Sequence, residues 1–359
     1  MRNRYDRRRE KPSVRVLMIG PDRSVHGGIS GVVNNYYEAG LDKRIDLCYV
    51  GTMVEGSRVR KLFTAIKAYF RFLFKLSAYR LVHVNMASDS SYFRKSVFIR
   101  TARLFGKKIV IHQHGGDFEN FYYHQLSERG RKNLRRVLSM GDAFVVISPS
   151  LEEFFGGLLG RERLTLLPNA IQIPPQGGKE YGRHRILFLG RICREKGIRE
   201  LLSVMPALKE KYPDIRLCLG GVFEDPQLKE KVEALSDCVE WIGWVGGEEK
   251  ERYLRECDIF VLPSYFEGQP VSVLEAMAYS CAVVASGTGG IPQMIIDNET
   301  GILVEPKSGK SLREGLERAL SDNKLCERLG KSAREKAQRE FSLDQNMERL
   351  LEIYRSVLE

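Results

Sequence analysis

This sequence is short of several things, and each shortage closes off a class of protein. Across its 359 residues no apolar run reaches the roughly 18–20 residues of a membrane-crossing helix. The charged opening MRNRYDRRREK runs into only VRVLMIG before Pro21 and Asp22, an apolar stretch too brief for the core of an export signal. The expectation is a cytoplasmic protein. The seven cysteines (Cys48, Cys193, Cys218, Cys238, Cys257, Cys281 and Cys326) form no Cys-x-x-Cys pair and have an odd total. That favours buried free thiols in a reducing compartment over disulfides or structural zinc. Also missing is the Gly-x-Gly-x-x-Gly turn of dinucleotide enzymes, which argues against a nicotinamide dehydrogenase.

What is present is a globular composition, 43% apolar and 29% charged. At 359 residues the chain is too long for one ordinary core and fits two domains of roughly 150–200 residues each. The net charge of +11 is unevenly placed. Residues 1–180 hold 31 Lys/Arg against 16 Asp/Glu, or +15, and residues 181–359 hold the remaining 26 against 30, or −4. A basic first half calls for an anionic partner, either nucleic acid or the negative inner leaflet of a membrane.

The first half alternates short apolar strands (Val14–Gly20, Arg80–Ser88 and the strand ending in HQH) with helices such as Phe93–Gly106. This is the pattern of a parallel sheet covered on both faces. After the first strand, Gly27, Gly28 and Gly31 precede an apolar helix, a turn that suits either a plain connection or a phosphate cradle. His112 and His114 alternate along a strand end, so they share a face, and one of them is expected at a cleft. No third ligand with sensible spacing makes them a zinc site. Asp117 reads as a helix N-cap. Proline, glycine and charge crowd Pro174–His184, which sets domains at 1–177 and 178–341 with a terminal helix at 342–359.

The most informative stretch is Pro263–Thr300, PSYFEGQPVSVLEAMAYSCAVVASGTGGIPQMIIDNET. It reads as the end of a buried strand, a turn, a helix from Val271 to Tyr279, a second strand and a glycine turn. In open α/β sheets ligands bind outside the carboxyl ends of strands, where loops enter helix N-termini. Glu267 sits in such a loop and Glu275 lies eight residues on, about two helical turns, so both carboxylates can face one cleft. Glu275 stands in an otherwise apolar helix, where an unpaired carboxylate is costly. A polar-ligand site is expected.

EGQPVSVLEAMA followed by GGIPQ resembles the pattern E-G-F-G-x-x-x-x-E-A-M-A and G-G-x-x-E of retaining glycosyltransferases of family 4. The resemblance implies the GT-B fold: α/β, with two Rossmann-like domains facing across a cleft. It implies that Glu267 contacts the donor sugar, Glu275 the ribose, and Gln269, Val271 and Ser272 offer backbone N–H groups. GRICREKG matches the family's G-R-L-x-x-x-K-G, whose arginine and lysine, here Arg191 and Lys196, neutralise the diphosphate. His114 in HGGD corresponds to the histidine that touches the donor sugar, and Gly28 to the glycine loop against the donor phosphate. Gly243 and Trp244 fall where the nucleobase is held, although tryptophan is more often a core residue. Pro270 replaces a glycine of the pattern and removes an N–H donor, and Gln293 replaces a glutamate.

The implied activity is retaining, metal-independent transfer from a UDP- or GDP-linked nucleotide-sugar to a saccharide acceptor, without a cofactor. No Asp-x-Asp motif occupies a plausible site. A GT-B epimerase or phosphorylase would share the architecture, but no lysine stands in a pyridoxal-phosphate context. A nucleic-acid binder would explain the basic half and leave Glu275 unexplained, so no nucleic-acid partner is expected. In Arg58–Arg80, Phe63, Ile66, Phe70, Leu73 and Phe74 form an apolar helical stripe, with Lys67, Arg71 and Lys75 beside it as a basic one. A core-packed helix with a solvated basic edge accounts for this nearly as well. Together with Arg4, Arg7, Arg8 and Arg9 and the Arg129–Arg136 cluster, it points to residence on the anionic inner face of a membrane, suited to a lipid-linked acceptor in surface polysaccharide assembly.

Overall fold

The computed structural model describes residues 14–115 and 117–359. Arg4, Arg7, Arg8, Arg9 and Gly116 lie outside the described residues. Two parallel six-stranded sheets organise the chain. The first is built from β1 (Arg15–Gly20), β2 (Asp46–Gly51), β3 (Leu81–Met86), β4 (Lys108–Gln113), β5 (Ala143–Val146) and β6 (Leu164–Leu166). The second comprises β7 (Arg185–Leu189), β8 (Arg216–Gly220), β9 (Val239–Gly243), β10 (Ile259–Leu262), β11 (Ala282–Ser286) and β12 (Ile302–Val304). Strands covered by helices on both faces must be apolar on both sides, and β3, β10 and β11 are buried at every position.

Spatial order decides where ligands can sit. The first sheet runs β2-β1-β3-β4-β5-β6 and the second β12-β11-β10-β7-β8-β9. Each reverses direction once, between β1 and β3 and between β7 and β10, and such reversals open a crevice at the strands' carboxyl ends. The loops after Gly20 and Met86 therefore face one crevice, and those after Leu189 and Leu262 the other.

The chain crosses between the sheets twice. No helix or strand forms over residues 172–184. At the far end Ile171 bridges Ser342, and the Leu343–Leu358 helix packs on the first sheet through Met347, Leu350, Leu351 and Tyr354. Side chains along β1 alternate, so Val16 and Met18 meet this helix while Leu17 and Ile19 enter the core on the opposite face. The Tyr36 hydroxyl donates to Asn346 at 2.8 Å, and His83 Nδ1 is hydrogen-bonded to the Tyr354 hydroxyl at 2.6 Å.

The Arg58–Leu76 helix carries two apolar stripes. Ala68, Phe72 and Leu76 face the sheet, and Leu73 is half-buried against it. Phe63, Phe70 and Phe74 point outward, 69%, 58% and 85% exposed, with Ile66 beside them. The helix therefore does pack on the core, through Ala68, Phe72, Leu76 and Leu73, whereas Phe63, Ile66, Phe70 and Phe74 of the expected stripe face outward.

Candidate active site

At the reversal between β7 and β10, two loops converge. After β7 the chain turns through Arg194–Lys196 and enters the Ile198–Lys211 helix at Gly197. After β10 it carries Ser264 and Glu267. Lys196 Nζ ion-pairs with Glu267 Oε1, and the same oxygen accepts from Ser264 Oγ at 2.6 Å. Both side chains are largely shielded, 19% and 10% exposed, so their attraction is weakly screened. The loop is fixed from below, since Gly290 N donates to the Glu267 carbonyl at 3.0 Å and Tyr265 N to the Glu195 carbonyl at 2.8 Å. A Cβ on Gly289, which has φ +57°, would overlap the Glu267 carbonyl oxygen, and one on Gly290 that of Gly268. Glycines are needed here for close approach.

Next to this pair the Val271–Ala278 helix begins at Pro270 without a side-chain cap. The N–H groups of Val271 and Ser272 lie in its uncapped first turn, where a helix offers partial positive charge to an anion. The oxygens of Gln269 accept from Asn169, its carbonyl from Nδ2 at 2.9 Å and its side chain from the backbone N, tying the loop to the end of the first domain. Arg191, half-exposed, donates to Glu224 at 2.9 and 3.1 Å.

Glu275, which would be costly to leave unpaired in its apolar helix, has a protein partner. Lys250 Nζ lies 2.6 Å from its Oε1. The two groups line a cavity of about 580 Å³ between the domains, shared with Trp244, Gly246, His26, Gly27 and Asn34. Glu267 is not on that wall, so this cavity does not bring the two glutamates together as the sequence suggested. Trp244 is not a core residue either. It is 46% exposed, and its ring centroid is 4.2 Å from that of His26. Gly243, with φ +72°, ends β9 just before it, whereas Gly28 opens the Gly28–Glu38 helix and Gly27 and Gly31 line the cavity.

His114 stands at the end of β4, its Nε2 hydrogen-bonded to Asn85 Oδ1 at 2.9 Å and its Nδ1 buried without a partner. Behind it His112 is buried with both ring nitrogens unpartnered, 3.9 Å from His114 between ring centroids and 5.4 Å from His83. Burial pushes His83 and His114 down to about 3, and His112 well below its ordinary value. Asp117 precedes the Phe118–Asn120 turn, but its carboxylate accepts from the Asn120 side chain at 3.0 Å rather than capping a backbone N–H.

This histidine column makes stability pH-dependent. The unfolded chain protonates each ring near 6.5, while in the folded chain burial keeps His83 and His114 neutral to about 3 and His112 neutral well below its ordinary value. The unfolded state thus binds more protons as pH falls from 6.5 towards 3, removing up to about 1.4 kcal/mol per pH unit per histidine. Tm is expected to drop between pH 7 and pH 5, and His112→Leu should flatten that slope. Identical slopes in the two proteins would contradict the assignment.

Lys250, Ser264, Glu224 and Asn169 escaped the sequence reading. Lys250, Glu224 and Asn169 meet partners on other elements, so spacing carried no signal, whereas Ser264 stands three residues before Glu267 in the same loop and was within reach of a local reading.

Residues 170–336 match the family of glycosyl transferases group 1. The second half of this chain is a group 1 glycosyltransferase domain. Over 175 residues, 48% of this chain and 45% of the relative, it is 34% identical to the N,N'-diacetylbacillosaminyl-diphospho-undecaprenol alpha-1,3-N-acetylgalactosaminyltransferase of Campylobacter jejuni. The chain spans about half the length of the curated relatives it matches. Among solved structures, sucrose-phosphate synthase from Thermosynechococcus elongatus superimposes with a TM-score of 0.78 at 21% identity, covering 96% of this chain and 99% of that one. The Anabaena protein HepE in complex with UDP and glucose gives 0.73 at 15% identity, covering 96% and 100%. The two-sheet fold is GT-B.

Proposed function

We propose that this chain is a glycosyltransferase that moves a sugar, with retention and without a metal, from a nucleotide-sugar to a saccharide acceptor carried on a lipid. The observation that carries the reading is the Lys196–Glu267–Ser264 constellation set beside the uncapped start of the Val271–Ala278 helix. The difficult step is departure of the nucleoside diphosphate from the anomeric carbon, which leaves an oxocarbenium-like centre. Lys196, Arg191 and the N–H groups of Val271 and Ser272 stabilise the charge gathering on the leaving diphosphate. An arriving diphosphate takes these cations from Glu267 and Glu224, and Glu267 is then free to orient the donor sugar. The acceptor hydroxyl attacks from the face the diphosphate leaves, and a phosphate oxygen of the donor takes its proton. His114 lies against the sugar and Gly28 near the phosphate loop. Glu275 and Lys250 hold the ribose, and Gly243 and Trp244 flank the base.

The division of labour is testable. Glu275→Ala is expected to weaken nucleotide binding about tenfold or more, the loss of a charge-assisted hydrogen bond, with a smaller effect on kcat. Glu267→Ala should chiefly lower kcat. Titration of the nucleoside diphosphate alongside steady-state kinetics checks this, and wild-type behaviour in both variants would remove the model. The donor itself is found with a panel of nucleotide sugars scored by hydrolysis and by Tm, since ligand at 100 times its Kd adds about 2.7 kcal/mol. No hydrolysis and no shift with any member would sink the transferase reading.

A lipid-linked acceptor and residence on the inner face of a membrane are favoured by two things. The Campylobacter relative's name places its sugar on a diphospho-undecaprenol carrier. The outward row Phe63, Ile66, Phe70 and Phe74, flanked by Lys67, Arg71 and Lys75, is an apolar surface with a basic margin, the chemistry of an anionic bilayer interface.

A further inference from the structure

A second cavity, about 480 Å³ in volume, opens along the outer edge of the first sheet beside β2. That is within the roughly 300–1,000 Å³ of small-molecule sites. Three tyrosines line it, Tyr37, Tyr49 and Tyr79, together with Arg23 and Arg71. Asp22 is the one carboxylate on the wall, and its Oδ1 accepts from Ser24 N at 3.1 Å and Ser24 Oγ at 2.8 Å. The Tyr49 and Tyr79 hydroxyls are spent on the Pro21 carbonyl and on Asp46.

Among the described residues neither Arg23 nor Arg71 lies within salt-bridge distance of a carboxylate. Arg23 donates from Nε to Asn34 at 2.8 Å and holds its guanidinium 3.7 Å over the Tyr37 ring, a geometry that fixes its direction and leaves other N–H groups free. Two guanidiniums facing one cavity repel each other until an anion joins them. Planar forks of N–H donors are suited to phosphate oxygens.

Position says which phosphate. Arg71 belongs to the Arg58–Leu76 helix, one residue after the outward Phe70 and three before Phe74. Arg23 lines the interdomain cavity as well as this one. We propose that this cavity binds the phosphate or diphosphate head of a lipid, clasped between Arg23 and Arg71. The proposal rests on the lipid-linked reading above and adds its anchoring point. A head group held there has the outward phenylalanine row on one side for its hydrocarbon, and the donor cleft on the other for its sugar.

The test is calorimetric titration of the full chain with farnesyl diphosphate in detergent micelles and, separately, with inorganic diphosphate. Excess UDP or GDP keeps the donor cleft filled. Wild type is expected to bind farnesyl diphosphate more tightly than inorganic diphosphate. Arg71→Gln and Arg23→Gln should each weaken it roughly tenfold or more, the loss on removing a charged hydrogen-bond donor, and Arg71→Lys should recover part of it. Unchanged affinity in both glutamine variants overturns the site, and equal affinity for the two ligands overturns its lipid character. Nucleotide-sugar hydrolysis by the wild-type protein reports on the transferase reading separately, and succeeds or fails irrespective of these titrations.

Discussion

Lys196→Ala is expected to lower kcat for sugar transfer by about 10²–10³-fold, the loss that follows removal of one preorganised donor at a charge developing in the transition state. Two features place the effect at this residue. Lys196 is shielded, so once the bound diphosphate has drawn it from Glu267 its charge acts through protein rather than water as the diphosphate departs. Arg191, matched to the same sequence pattern, is half-exposed and bonded to an equally exposed Glu224. Solvent screens it, and Arg191→Ala should cost at most about tenfold.

Lys196→Ala also leaves Glu267 shielded without its cation, and Ser264 is then the remaining side-chain partner of Oε1. Some loss of Tm is therefore expected, and Lys196→Ala with Glu267→Gln should recover it, because the stranded charge is gone. Recovery of Tm in the double variant assigns the stability loss to the stranded carboxylate, and kcat of Lys196→Ala measured well below its own Tm then reports on catalysis. A rate within twofold of wild type for Lys196→Ala would show that the side chain is a structural partner of Glu267 and nothing more.

The strands and the loops at their carboxyl ends were legible in the sequence because burial on both faces leaves a continuous apolar run, as in Ile259–Leu262. Glu267 is read from that position, and Arg191 and Lys196 from the match of GRICREKG to the family pattern. The pairings did not follow. Lys250 meets Glu275 across 25 positions and Asn169 meets Gln269 across 100, and no local pattern records either contact. The Arg58–Leu76 helix was ambiguous for another reason. Both Ala68-Phe72-Leu76 and Phe63-Phe70-Phe74 repeat at helical spacing, and spacing does not say which stripe faces the sheet.

The outcome at that helix sets the other large effect, on membrane binding. A phenylalanine taken from water into an apolar layer gains about 1.5–3 kcal/mol. Phe63, Phe70 and Phe74 together therefore supply several kcal/mol, more than a 10²-fold change in partitioning. Lys67, Arg71 and Lys75 contribute about 1 kcal/mol each near an anionic leaflet. The two parts respond differently to salt, since the Debye length shrinks from about 10 Å at 0.1 M to about 3 Å at 1 M while apolar burial is not screened. The protein is thus expected to float with liposomes rich in anionic lipid at low salt and to be only partly released at 1 M. Replacing Lys67, Arg71 and Lys75 with glutamine should abolish the salt-sensitive part and leave a weaker, salt-independent fraction. Replacing Phe63, Phe70 and Phe74 with serine should cost the larger share at any ionic strength, with Tm unchanged because all three side chains already face water. Flotation of the serine variant at the wild-type level would reduce the surface to its charges. Failure of the wild type to float at low salt would leave the phenylalanine row without a bilayer to enter, and a soluble acceptor would then account better for the chain.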